Sequence, residues 1–154
     1  MQTSTKQKGF SLIELLIVVA IILIIAAIAI PNLIRSKMAA NESSAVASLR
    51  TINTAEVTYN NTYPGSFGAL TSLGGASPCG TPTSSGACLI DNLLSSGTKS
   101  GYNFALPTIT TTGYNSTATP AATNTGTRQF CSSQDLVLYY SPTSSGCAIG
   151  TNPL

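Results

Sequence analysis

The chain has 154 residues, which leaves room for one modest domain. Charged residues make up 8% of it and hydrophobic residues 43%, whereas a soluble domain is about a quarter charged, so part of the chain is membrane-borne or densely packed. Lys6 and Lys8 lie near the N-terminus, and the five basic and five acidic side chains that follow them balance. This balance leaves no basic patch, which argues against nucleic-acid binding.

The first predicted element is a membrane-spanning helix from Phe10 to Ile30. A helix over this apolar run would extend about 31 Å, enough to cross the hydrocarbon core of a bilayer. Lys6 and Lys8 precede it and, by the positive-inside rule, hold that end in the cytoplasm. Everything after Pro31 is then delivered to the far side of the membrane.

Glu14 lies inside this apolar run and limits how the run is interpreted. One interpretation is a secretory signal peptide, with the small residues around Ile28 (AIA, residues 27–29) as its cleavage site. Another is a plain signal anchor. The run is longer than the apolar part of a typical signal peptide, and neither interpretation explains the acid. A carboxylate within a membrane segment costs about 2.5–3.5 kcal/mol by insertion scales, so Glu14 needs a reason.

Residues 8–15, KGFSLIEL, resemble the class III signal of type IV prepilins and pseudopilins. That family has a short basic leader, a glycine, an aromatic residue, and a glutamate at the fifth position of the processed chain. The resemblance implies that a prepilin peptidase cuts between Gly9 and Phe10 and then methylates the new amine on Phe10. Residues 1–9 would be the leader peptide, and residues 10–30 the helix that spans the membrane and later lies in a filament core.

The resemblance also gives Glu14 a role in assembly and register. Cleavage creates an α-ammonium group on Phe10, which the carboxylate one turn along can neutralise within the chain or on a neighbouring subunit. Removing one partner of a buried ion pair leaves an uncompensated charge that costs about 3–5 kcal/mol. The pair therefore specifies register, because only one axial stagger lets each carboxylate meet an amine.

Residues 31–60 are predicted to continue the helix in amphipathic form. Pro31 has no amide hydrogen to donate to the Ala27 carbonyl, which predicts a kink. Apolar side chains recur at three- and four-residue steps, and the charged side chains are assigned to the opposite, polar face. The predicted apolar stripe comprises Leu33, Ile34, Met38, Ala45, Leu49, Ile52 and Val57, with Val46 at its edge, and the predicted polar face carries Arg35, Lys37, Glu42, Arg50 and Glu56.

Residues 61–154 are predicted to form a globular head. Four cysteines permit three disulfide connectivities, and in an exported domain we favour the local one, Cys79 with Cys88 and Cys131 with Cys147. Strand candidates alternate in polarity, and the last two read as strand, turn and strand. They are 102–106, parts of 109–114, 128–131 and 136–140, with a turn at 132–135. The Ser/Thr-rich segment from Thr108 to Thr127 reads as a solvated surface connection, and the sharper alternative is a glycosylated or adhesive filament face.

The order of these strands resembles the sheet of bacterial pilin-like proteins, which implies an α+β fold: a long N-terminal helix packed on a small antiparallel sheet. We predict no catalytic residues, metal or cofactor, because histidine is absent and the post-leader acids are isolated. The resemblance implies a structural subunit of a bacterial type IV pilus. Its partners would be identical subunits, the prepilin peptidase and methyltransferase, and the inner-membrane assembly machinery. Two alternatives stand: a pseudopilin of a type II secretion system, and a minor pilin or membrane-tethered adhesion module.

Overall fold

The computed structural model describes residues 9–76, 78–142 and 146–154. Lys6, Lys8 and the rest of the predicted leader before Gly9 lie outside the described residues. The elements within these ranges are α1 (Leu12–Thr62), α2 (Leu70–Leu73), α3 (Asn92–Ser95), β1 (Thr98–Lys99), β2 (Tyr102–Ile109), β3 (Tyr114–Pro120), β4 (Gln129–Ser133) and β5 (Leu138–Ser141).

Helix α1 contains 51 residues and accounts for both predicted helical segments. Pro31 lies inside it, so the proline does not end the helix, and a kink at that residue remains a prediction. The described residues up to Ser36 form one compact unit, and Lys37–Leu154 form a second. From here on we call this second unit the head; it is larger than the predicted head (61–154), because it also contains the last part of α1 besides all of the sheet.

The sheet is an antiparallel meander in the order β1-β2-β3-β4-β5. Its register aligns Phe104 with Ala118, Ala118 with Phe130, and Phe130 with Tyr140. Pairing is irregular between Ala105 and Thr108 of β2. Pro107 lies in that interval and cannot donate a ladder hydrogen bond, which accounts for the local break.

The head's core forms where α1 covers one face of the sheet. Ala45, Leu49 and Ile52 of the helix are fully buried. The sheet and the short elements contribute Leu73, Leu94, Tyr102, Phe104, Ala118, Phe130 and Leu138 to the same cluster. The predicted α+β fold, with a long helix on a small antiparallel sheet, is confirmed.

The predicted polar face of α1 is wrong at two residues. Glu42 is 6% exposed and Glu56 is fully buried, whereas Val57 of the predicted apolar stripe is 42% exposed. The physical reason is spacing: Glu42 and Glu56 fall on the same three- and four-residue steps as Leu49, so they face the sheet. Leu33 and Ile34 of the predicted stripe are exposed as well.

The predicted surface connection between Thr108 and Thr127 is also wrong in part, because β3 lies within it and pairs with strands on both sides. Along β3, the buried side chains of Tyr114, Ser116 and Ala118 alternate with partly exposed ones. The predicted turn at 132–135 is shifted too. β4 continues to Ser133 because all five of its side chains, serines included, are buried.

The structure joins Cys79 to Cys88 and Cys131 to Cys147, which is the local pairing. The second disulfide fixes the C-terminal segment beside β5. There the Tyr140 amide donates to the Asn152 carbonyl over 2.9 Å, and the Leu154 amide donates to the Leu138 carbonyl over 2.9 Å. We call residues 152–154 the tail; they extend the sheet beyond its last strand.

Candidate assembly site

The N-terminal unit exposes an unbroken apolar surface. From Phe10 to Ile30 its large hydrophobic side chains are 45–84% exposed, with Phe10 at the upper limit. Within the described residues, α1 is the one helix long and apolar enough to cross a membrane by length and composition. An apolar surface of this extent is unstable in water and requires lipid or other protein around it.

Glu14 lies in the first turn of α1, where it completes a helix cap. The amide of Ser11, the residue before the helix, donates to Glu14 Oε2 over 2.9 Å. This is one half of a capping box, in which a glutamate at the third helical position satisfies the amide of the capping serine. Glu14 therefore has a hydrogen-bond partner in the unprocessed chain, which sequence reasoning missed although the pattern S-x-x-E was visible.

Gly9 lies just outside the helix in open surroundings. A Cβ atom added to it would meet nothing within 4 Å, and its backbone does not adopt the left-handed conformation that favours glycine. Nothing in the described fold therefore requires glycine at this position. The structure brings Gly9, Phe10 and Glu14 together at the start of α1, while Pro31 and the four cysteines lie farther along the chain.

In the head, Glu42 joins α1 to the segment between β3 and β4. Its Oε1 accepts hydrogen bonds from the Thr127 amide, the Thr127 hydroxyl and the Arg128 amide at 2.9, 3.0 and 3.2 Å. Its Oε2 accepts from Arg128 Nε at 2.8 Å and lies 2.7 Å from Arg128 Nη2. Burial alone would raise the pKa of the Glu42 carboxyl, but these donors from Thr127 and Arg128 outweigh it and hold the pKa below its ordinary value.

Glu56, four turns along the same face of α1, has a different environment. Its Oε2 accepts a hydrogen bond from the Gly68 amide at 2.9 Å, whereas its Oε1 is buried and has no hydrogen-bond partner among the described residues. Burial raises the pKa of this carboxyl to about 7, against the opposing effect of the Gly68 amide. The two buried carboxyls of α1 therefore differ in charge near neutral pH.

A buried polar chain links α1 to the centre of the sheet between these two acids. The Tyr114 hydroxyl donates to Asn53 Oδ1 over 3.0 Å, and Asn53 Nδ2 donates to Ser132 Oγ over 2.7 Å. Both bonds are buried, so each donor and acceptor would be costly to leave unpaired. The amide of Asn53 thus ties the helix to β3 and β4 at once.

Residues 4–30 match the family described as the prokaryotic N-terminal methylation motif. In this N-terminal segment, the chain is similar to type IV pilins and pseudopilins.

Similar proteins include pilins and one secretion component. The type IV wide pilus major component PilA4 of Thermus thermophilus is 47% identical over 70 residues, which are 44% of this chain and 53% of that protein. The type IV major pilin protein PilA of Myxococcus xanthus is 48% identical over 54 residues, 35% of this chain and 24% of that one. The type II secretion system core protein G of Escherichia coli is 34% identical over 76 residues, 47% and 52% of the two chains. The chain thus spans about half the length of PilA4 and of core protein G, and about a quarter of PilA.

The head contains buried polar residues that sequence reasoning misassigned or missed. Glu42 and Glu56 were assigned to solvent because of residue type, and the signal that could have placed them was their position on the Leu49 stripe. Asn53 gave no signal, because its neighbours in space are 61 and 79 residues away in sequence. Among the described residues, no group of three or more histidine, cysteine, aspartate or glutamate side chains is placed to hold a metal ion.

Proposed function

We propose that this chain is a structural subunit of a bacterial type IV pilus, clipped after Gly9 and polymerised through α1. The observation that supports this most directly is the exposed apolar surface of residues 10–30, which lies within the matched methylation motif (residues 4–30). A surface of that kind has two compatible environments: a lipid bilayer and a bundle of similar helices. Assembly would transfer it from the first to the second.

Processing gives the transfer a direction. Before cleavage, Lys6 and Lys8 hold the N-terminus on the cytoplasmic side, and Glu14 caps its own helix through Ser11. Cleavage removes both lysines and leaves one ammonium group, on Phe10, within about one helical turn of Glu14. The carboxylate then meets either its own amine or that of a neighbour, and the second option fixes the axial stagger between subunits.

The proposal carries a location and a set of partners. Before assembly the subunit spans the bacterial inner membrane with its N-terminus in the cytoplasm, where the prepilin peptidase and methyltransferase act. After assembly it lies in an extracellular filament of identical subunits, built by the inner-membrane pilus machinery. The role is structural and not catalytic, and the filament would serve adhesion or motility.

A second candidate is a pseudopilin of a type II secretion system, forming a short periplasmic filament. The similarity to core protein G of Escherichia coli favours it, over a segment as long as the one shared with PilA4. The similarity to two proteins named as major pilus components favours the first candidate. A third candidate, a minor pilin or membrane-tethered adhesion module, keeps the same membrane segment but forms no bulk filament of its own.

Electron microscopy of filaments sheared from cells, with N-terminal sequencing of their main subunit, tests the proposal. We expect abundant surface filaments whose subunit begins at a methylated Phe10. An N-terminus at Ile30 would instead establish an ordinary secretory signal peptide. Filaments that appear only when the gene is overexpressed would favour the pseudopilin, and mature subunits without filaments would favour the tethered module.

A matched pair of glycine substitutions tests the processing step. Gly9→Val should abolish cleavage and filaments, because by our proposal the peptidase recognises this glycine. The described fold does not require glycine there, so misfolding would not explain the loss. Gly80→Val is the control, since a Cβ at Gly80 also meets nothing within 4 Å. If Gly9→Val is cleaved and assembled as well as Gly80→Val, the proposed cleavage site is incorrect.

A further inference from the structure

The Glu56 carboxyl is buried with one oxygen unsatisfied. The side chain is fully buried, its Oε2 is bound by the Gly68 amide, and its Oε1 has no hydrogen-bond partner in the part of the chain that the structure describes. An ionised carboxylate in such a place lacks the donors that would stabilise its charge, whereas the protonated acid needs fewer. The site therefore suits a neutral carboxyl.

The elements around Glu56 supply no positive charge. The strands β2–β5, helix α2 and the segment from Tyr63 to Ala69 contain no aspartate, glutamate, lysine or arginine. Their titratable side chains are tyrosines. Burial and, secondly, the negative charge of Glu56 raise the pKa of Tyr114 in β3.

Residues 63–68 connect α1 to α2 and pass over this carboxyl; we call them the strap. Besides the Gly68–Glu56 hydrogen bond, the strap is held by a bond from the Phe67 amide to the Thr110 carbonyl (3.4 Å) and by the Phe67 ring, 4.9 Å from that of Tyr114. Its middle residues, 64–66, are exposed. Gly65 has a φ of +130°, a conformation that glycine adopts readily.

The close fit of the strap depends on Gly68. A Cβ at this residue would lie 3.1 Å from Leu73 Cδ2 and 3.2 Å from the Tyr59 ring, so the backbone reaches the carboxyl because it carries no side chain. The strap is also held at Tyr63, whose ring lies 5.1 Å from that of Tyr59, but residues 64–66 are exposed, and a segment with few buried contacts opens locally at small cost.

We propose that the strap is a proton-operated latch: it stays closed over a neutral Glu56 and opens when Glu56 ionises, so that water reaches the carboxylate. This inference concerns the head alone and does not depend on filament formation.

The pH window follows from the two states. In the closed state burial raises the pKa of Glu56 to about 7, and in the open state the pKa returns to its ordinary value of 4.5. Protonated Glu56 fully favours the closed state below pH 4.5, and this stabilisation is lost as the pH rises through about 7. The chain has no histidine, so the usual side chain that titrates in this window is absent.

Hydrogen–deuterium exchange of the full-length chain in detergent micelles, between pH 5 and pH 7.5, tests the latch. After correction for the intrinsic pH dependence of exchange, we expect strap amides to exchange on the order of fiftyfold faster at pH 7.5 than at pH 5, with β4 amides unchanged. Glu56→Gln keeps an acceptor for the Gly68 amide but cannot ionise, so its strap should exchange equally at both pH values. Glu42→Gln is the matched control and should keep the wild-type pH dependence.

Three results would overturn the latch: no corrected pH dependence in the strap, a dependence that persists in Glu56→Gln, or an equal increase in β4, which signals global opening. Infrared spectroscopy of the wild-type chain gives a second readout that needs no variant. The band of a protonated carboxyl should disappear on titration near neutral pH, and its absence already at pH 5 would contradict a neutral Glu56.

Discussion

The two buried carboxylates of α1 have opposite effects on the stability of the head because their surroundings differ in donors. Glu42 receives hydrogen bonds to both oxygens, including a charged one from Arg128, whereas Glu56 receives a single amide. In a low-dielectric interior, the number and charge of donors decide whether ionisation stabilises or destabilises the fold. Two glutamates on one helix face can therefore have opposite effects: ionised Glu42 stabilises the fold, and ionised Glu56 destabilises it.

Replacing Glu42 by glutamine should destabilise the head at neutral pH by about 1–3 kcal/mol, since hydrogen bonds to a charged group contribute this much. The pKa of Glu42 is lowered in the fold, so its contribution is present above the unfolded pKa and is lost as the pH falls. Urea unfolding in detergent, followed by tyrosine circular dichroism, should show a difference at pH 7 that shrinks towards pH 3. Asp91→Asn, which breaks the exposed Lys99 ion pair, is the control and should cost less than about 1 kcal/mol. A loss from Glu42→Gln that is equal at both pH values would contradict an ionic role.

Replacing Glu56 by glutamine should have the opposite sign. Its raised folded pKa, about 7 against 4.5, means that ionisation opposes folding by up to about 3 kcal/mol at pH 8 and by nothing near pH 4. The glutamine variant should therefore unfold at higher urea concentration than the wild type at pH 8, and at the same concentration near pH 4. If the strap opens before the head unfolds, the stability gained by Glu56→Gln should be smaller than this upper limit. A variant less stable than the wild type at pH 8 would show that the Glu56 charge is compensated.

Local pattern yields a prediction for the chemistry at the N-terminus but none for the buried acids of the head, and the difference is one of range. Gly9, Phe10 and Glu14 lie within six residues, so their relation is visible in the sequence. The partners of Glu42 are 85 and 86 residues away in sequence, and only the folded sheet brings them to the helix. Residue type then misled, because acids are seldom fully buried.

Between elements, Asn53 is the main polar link from α1 to the sheet. Asn53→Ala removes the acceptor for the Tyr114 hydroxyl and the donor to Ser132, both buried, and should destabilise the head by about 2–4 kcal/mol. Thr54→Ala is the neighbouring control: its hydroxyl donates to the Arg50 carbonyl on the exposed face, so its loss should stay within about 0.5 kcal/mol. The two costs are compared by urea unfolding. Strict additivity of Asn53→Ala with Tyr114→Phe in a double-mutant cycle would show that the hydrogen bond contributes nothing.

At the edge of the sheet, the Cys131–Cys147 disulfide should hold the tail against β5. Cys131→Ala with Cys147→Ser removes a constraint over 16 residues and should cost about 3 kcal/mol, with faster exchange of the Tyr140 and Leu154 amides. The Cys79/Cys88 double variant is the control: a similar loss of stability should leave those amides protected, because that loop lies elsewhere in the head. Protected Tyr140 and Leu154 amides in the first variant would show that the tail binds without its disulfide.

The sheet was harder to predict than the helix because its strands are polar and short. The alternation in β2 was visible, but β3 is formed almost entirely of Ser, Thr, Asn and Ala, a composition typical of loops. It becomes a strand because its neighbours pair with it on both sides and because Tyr114 and Ala118 reach the core. Pairing partners distant in sequence therefore override the weak local preference.

At the scale of the whole molecule, charged side chains are scarce, and several of them make specific contacts. Among the described residues, ion pairs join Arg128 to Glu42 and Lys99 to Asp91, and the one acid in the apolar segment is Glu14. Glu14 has two roles to separate: it caps α1 through the Ser11 amide, and by our proposal it meets the Phe10 amine of a neighbouring subunit. Capping requires only an acceptor, whereas register requires a charge.

Glutamine at position 14 separates these roles, because it can complete a capping box but carries no charge. We expect Glu14→Gln and Glu14→Ala to reach the membrane and to be cleaved after Gly9, and both to lose most filaments. Leaving the partner amine uncompensated in a helical bundle costs about 3–5 kcal/mol per subunit, and the loss recurs at every addition. Leu16→Ala, a truncation nearby on the same exposed helix, should retain filaments in larger number. Filament yield is measured by shearing and immunoblotting against the membrane pool of cleaved subunit. Normal filaments from Glu14→Gln and none from Glu14→Ala would assign the glutamate to capping alone and refute its role in register.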